Sequence, residues 1–153
     1  MEHLKFKFII AYALVISSMS HIAPQLVKLE GSSPHNNNNK GLVQIGNLDS
    51  SIELTVTIVT GSLENTRLVA SYYSGLDGLS VFGETEMHLK LSGSVESLSN
   101  AFGTTFIEYE CGGQRGQSKV CFCTNTDISI PATLKSAIIG VLGLENILTM
   151  NPN

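Results

Sequence analysis

Between residues 52 and 60 the chain alternates. Ile52, Leu54, Val56 and Ile58 fall at every second position, with Glu53, Thr55 and Thr57 between them. That period, in a β-branched run, predicts a half-buried strand. Gly61 breaks it. Ser62 suits the N-cap of a helix over 63–74, and Gly75 a left-handed stop. Leu68, Val69, Tyr72, Tyr73 and Leu76 would form its apolar side. A short strand follows over 79–82, then a turn over 83–86 and a second strand over 87–91. There Met87, Leu89 and Leu91 share one side, His88 and Lys90 the other. Gly93 ends this strand. Ser94 caps a helix over 95–102 whose Val95, Leu98 and Phe102 recur at helical spacing, and Gly103 stops it. Strands over 104–111 and 119–124, joined by a glycine-rich tip at 112–116, form a hairpin. Pro131 suits the first turn of a last helix with Leu134, Ile138, Val141 and Leu142 on its buried side, closed by Gly143.

The resulting order is strand, helix, strand, strand, helix, strand, with the strand over 104–111 in fourth place. It predicts an α+β, ferredoxin-like (split β-α-β) domain. Its helices would cover one face of an antiparallel sheet, with a hairpin strand and a helix as C-terminal extension. This architecture serves many unrelated functions, so activity has to be argued from residues.

Composition narrows the choice. The 153 residues, 16.4 kDa, are one domain's worth of chain, and 42% hydrophobic with 14% charged residues suits a core. A net charge of -4 leaves no cationic surplus for nucleic acid. Residues 1–20 read as a signal peptide: Lys5 and Lys7, an apolar run over 8–16, then Ser17, Ser18 and Ser20 before His21. That run is too short for a membrane span of about 20 residues, so no membrane association is expected after leader removal. Secretion, or delivery to a lysosomal lumen, places the domain where disulfides persist. Residues 21–50 read as a low-complexity lead-in without periodic signal, including the asparagines at 36–39. The domain itself is expected over 51–147, with 148–153 as tail.

A nucleophilic enzyme needs nucleophile, base and orienting group together. His21 and His35 lie in the lead-in, and His88 lies on an exposed strand side. None sits in a motif aimed at a Ser or Cys, so no catalytic residue is expected. Cys121 and Cys123 share one strand side, across the hairpin from Cys111, but metal-ligand spacing is missing and neither metal nor cofactor is expected. A disulfide from Cys111 to either Cys121 or Cys123 is the simpler reading, and residue spacing does not choose between them. Closing a loop of about ten residues stabilises by about 2–3 kcal/mol. The pairs Glu84/Glu86 and Glu108/Glu110 read as solvated surface carboxylates.

The run Gly93-Ser94-Val95-Glu96-Ser97-Leu98-Ser99-Asn100-Ala101-Phe102-Gly103-Thr104-Thr105 resembles part of the activation propeptide of the sedolisins. These are the serine-carboxyl peptidases that include kumamolisin and lysosomal tripeptidyl peptidase. Tyr109, Ile130-Pro131-Ala132 with Leu134, and Val141-Leu142-Gly143-Leu144-Glu145-Asn146 resemble its later segments. The run over 52–59 resembles its first strand, and the resemblance extends over roughly 41–147. Two departures stand out. A longer helical insertion usual after the first strand is absent, and the catalytic domain that follows the propeptide in the family is not in this sequence. The resemblance implies a chaperone and inhibitor domain whose partner is a sedolisin-type catalytic domain, burying about 800 Å² per partner. The sheet face opposite the helices, or the rim near His88 and Lys90, would meet that partner and respond to pH. Two other readings are a non-catalytic fragment of a peptidase precursor and a secreted ferredoxin-like binding or structural module.

Overall fold

The computed structural model describes residues 23–33, 43–111 and 119–146. The leader, His21, His35, the hairpin tip and the tail at 148–153 lie outside them. In chain order the elements are β1 (Leu26–Lys28), β2 (Val43–Asn47), β3 (Glu53–Thr60), α1 (Leu63–Tyr73), β4 (Leu79–Phe82) and β5 (His88–Ser94). Then come α2 (Val95–Phe102), β6 (Phe106–Cys111), β7 (Lys119–Thr124), β8 (Ser129–Pro131), a 3-10 turn (Ala132–Leu134) and β9 (Ile138–Leu142).

A four-stranded antiparallel sheet runs β4-β5-β3-β9. Chain reversal through α1 and α2 produces this split β-α-β order, with β3 and β5 central. The α+β, ferredoxin-like class therefore stands, but the fourth strand is β9, not the segment over 104–111. The last helix expected from Pro131 is absent. Pro131 ends β8, Leu134 lies in the 3-10 turn, and Ile138, Val141 and Leu142, assigned to that helix, belong to β9. A bulge explains the misreading. The β3–β9 register shifts between Val59 and Thr60, which inserts one extra residue. Ile138 and Val141 thus reach the same side of a strand at a spacing of three, which imitates a helix.

The hairpin of β6 and β7 joins β2 in a separate three-stranded sheet, β2-β6-β7, while β1 and β8 form a two-stranded ribbon. The lead-in thus contributes strands on either side of the asparagines at 36–39, which lie outside the described residues, although it carries no periodic signal. Its local sequence lacks a period because long-range backbone bonds hold it. Leu29 N–H donates to Ile128 O at 2.9 Å, and Ala132 N–H donates to Gln25 O at 2.8 Å. Ile128 N–H donates to Ser32 Oγ at 2.9 Å, and Ser33 N–H donates to Asp127 Oδ1 at 2.7 Å.

The Ser33 N–H bond holds the Asp127 carboxyl below the usual carboxylate range. A folded-state pKa below the unfolded one stabilises above the unfolded value, near 4, and that gain is lost as pH falls through the folded value. Melting temperatures of the wild type and Asp127→Asn are therefore expected to differ at about pH 6 and to converge at about pH 2. A gap that stays constant over this range would show that the charge contributes nothing.

One core lies between the four-stranded sheet and the helices. Val56, Ile58, Leu89 and Leu91 project from the sheet against Val69, Tyr73, Leu98 and Phe102. Ser62 and Ser94 cap the two helices through their hydroxyls, as the sequence predicts. Gly103 adopts the left-handed stop at φ 57°, whereas α1 ends on Ser74 in helical conformation and Gly75 is no left-handed cap. Leu68 points outward, 50% exposed, and buried Thr66 takes the inner position. The Thr66 hydroxyl bonds that of Thr60 at the end of β3, so a polar residue fits the core because its partner is buried with it.

Candidate functional site

Among the described residues the helices cover one face of the four-stranded sheet and leave the other open. Alternation along β3 turns Thr55, Thr57 and Val59 to the open side, and along β5 it turns His88, Lys90 and Ser92 there. Pairing aligns these residues across the strands. Phe82, Lys90, Thr57 and Leu142 form one row, and His88, Val59 and Gly140 the next. Directly opposed side chains sit about 5 Å apart, so the first row is one continuous strip. Phe82 and Leu142 are 45% and 61% exposed. An ammonium therefore stands between two exposed apolar side chains.

Both basic residues singled out from the sequence lie here. The Lys90 stem runs against the β4–β5 turn, since a Cβ placed on Gly83 would lie 3.5 Å from Lys90 Cδ. His88 is fixed by Thr85, whose hydroxyl lies 2.9 Å from His88 Nδ1. Thr85 N–H donates to His88 O at 2.8 Å, and His88 N–H donates to Thr85 Oγ1 at 3.1 Å. The ring is thus anchored at one nitrogen to its own turn. Phe82 and Leu142 were not recognised as partners in this strip. Sequence alternation marks the side of a strand, but only the register of three strands shows which residues share a row.

The other candidates fall elsewhere. Glu84 and Glu86 are exposed in the β4–β5 turn, and Glu108 and Glu110 lie on β6 in the second sheet. Among the described residues no group of three or more His, Cys, Asp or Glu can hold a metal ion. Ile107, Tyr109, Cys121 and Cys123 form a small second core on the hairpin. Cys121 is in a disulfide, and Cys123 is a buried thiol. The Tyr109 hydroxyl is raised above its ordinary range by burial, and then by Cys123 beside it. A shallow groove of about 370 Å³ on the helix side is lined by Pro24, Leu26, Tyr72, Leu76, Leu79 and Ala101. It is mainly apolar and assembles no acid–base set. No helix among the described residues is long and apolar enough to cross a membrane.

No curated protein matches the chain. A family model described as the pro-kumamolisin activation domain matches residues 64–147. That span begins in α1, includes β5, α2 and β9, and so takes in the Lys90 strip except for its Thr57 contribution from β3. Activation propeptides of this kind are a non-catalytic family. With more than half of its residues matched, the chain belongs to the pro-kumamolisin activation domain family.

Proposed function

We propose that this chain acts as an activation domain that covers the catalytic domain of a sedolisin-type serine peptidase, assisting its folding and inhibiting it. The open sheet face is the docking surface. The observation that carries this reading is the family match over a domain whose second sheet face presents the Phe82–Lys90–Thr57–Leu142 strip. An interface needs apolar anchors that exclude water and a few polar groups that set register. Phe82 and Leu142 serve as anchors, and Lys90 selects a carboxylate on the partner. The chain itself hydrolyses nothing and needs no cofactor.

His88 adjoins this contact. It lies on the same side of β5 as Lys90, beside Val59 of β3, with Thr85 and the exposed Glu84 and Glu86 in the adjoining turn. The protein acts in an oxidising lumen or outside the cell. The disulfide at Cys121 supports this compartment.

Titrating the purified chain into a sedolisin-type peptidase at about pH 6 is expected to slow peptide cleavage. Exchanging both Phe82→Ser and Lys90→Glu is expected to weaken inhibition by about tenfold or more. Cleavage rates that stay unchanged across the titration would overturn the reading. Inhibition by the double variant equal to that by the wild type would remove the sheet face from it.

A further inference from the structure

The outer edge of β9 points to a second interaction, independent of the peptidase reading. β9 ends the four-stranded sheet, and among the described residues only β3 pairs with it. Sheet edges are normally guarded by charges, prolines or bulges, because unpaired backbone groups invite another strand. β9 reads Ile-Ile-Gly-Val-Leu and carries neither charge nor proline. Ile139 and Leu142 are 64% and 61% exposed. The bulge at its start leaves residues 140–142 in regular register with β3. The two edges of the second sheet are better protected. β2 is interrupted by a register shift between Gln44 and Gly46. On β7, Cys123 bridges Glu145, and Phe122 N–H donates to the Asn146 side chain at 2.7 Å.

The side chains of β9 identify what fits there. Gly140 and Leu142 lie opposite Val59 and Thr57 on the open face, while Val141 lies opposite Ile58 on the helix face. A Cβ placed on Gly140 would meet nothing within 4 Å. The strand thus carries an exposed knob at 142 and an empty place at 140, on the same side and two residues apart. We propose that β9 pairs antiparallel with β9 of a second copy of this chain, about a two-fold axis through Val141. Val141 then faces Val141, and each Leu142 lies over the Gly140 of the other copy. Every residue from 140 to 142 keeps its face, and no like charges meet. A foreign strand finds no charge on β9 to select it, whereas a second copy supplies knob and hole together. The product is a continuous eight-stranded sheet with both open faces on one side.

So short a contact buries well below the roughly 1,200 Å² of stable complexes. The dimer is therefore concentration-dependent, populated near about 100 µM and absent near about 1 µM. Sedimentation velocity of the purified chain over this range is expected to show the change from monomer to dimer. Gly140→Val fills the hole without adding charge, and Leu142→Lys charges the knob. Both are expected to stay monomeric at the highest concentration with wild-type circular dichroism. In the wild type, amide exchange over 140–142 is expected to slow as concentration rises, a readout that needs no variant. A wild type that remains monomeric overturns the proposal. So does a dimer retained by either folded variant, a dimer dissolved by thiol, or exchange independent of concentration.

Discussion

Phe102→Ala is expected to lower the unfolding free energy by about 3–5 kcal/mol. Phe102 is the last residue of α2, wholly buried, and its ring centre lies 5.7 Å from that of Tyr73 in α1. It joins the two helices to each other above the sheet. Its removal costs the transfer energy of the ring and leaves a cavity that a helix end held by Gly103 cannot easily close. Urea denaturation of the two proteins measures the difference. A loss below about 1 kcal/mol would show that α2 collapses onto the space, and the account of a single rigid helix layer would fail. Since whole domains are stable by about 5–15 kcal/mol, the expected loss is a large fraction of the total.

Gly93→Val is expected to be as damaging for a different reason. Gly93 is buried in β5, between Leu54 of β3 and Leu79 of β4. A Cβ there would stand 2.6 Å from Gly78 O and 2.7 Å from Leu79 Cδ2. The leucine methyl can turn aside, but the carbonyl belongs to the backbone that leads into β4. The strand must therefore move away from β5, at a cost of about 3 kcal/mol or more. Because β4 carries Phe82, the same displacement breaks the docking strip. The variant is expected to melt well below the wild type and to lose inhibition of the peptidase. Gly140→Val is the internal comparison, since its Cβ enters open space. Equal melting temperatures for Gly93→Val and the wild type would contradict the close approach of β4 and β5.

Much of the framework was legible locally. The alternation in β3 and β5, the two serine caps and the left-handed Gly103 depend on residues within a few positions of each other. His88 and Lys90 were assigned to the uncovered side of their strand by the same alternation, and the structure places them there. The family resemblance rested on runs of that kind, and the family match includes those within 64–147 but not the run over 52–59.

What local pattern could not convey was pairing. Bonds between residues about a hundred positions apart hold the lead-in, so it carries no local periodic signal. Cys121 rather than Cys123 is oxidised, a choice that residue spacing left open. The bulge in β9 gave a strand the spacing of a helix, and with it the fourth sheet position passed from the 104–111 segment to 138–142. Amino-acid order alone thus determined the α+β class, the serine caps of both helices, the Gly103 stop and the side on which the residues of β3 and β5 lie, because steric preference and burial period act over single turns and pleats. Tertiary contact decided which strand completes the sheet, which residues share the Lys90 strip and which strand has, among the described residues, only β3 as a partner. Those outcomes depend on register between distant segments, and backbone hydrogen bonds set that register with no preference for side-chain identity.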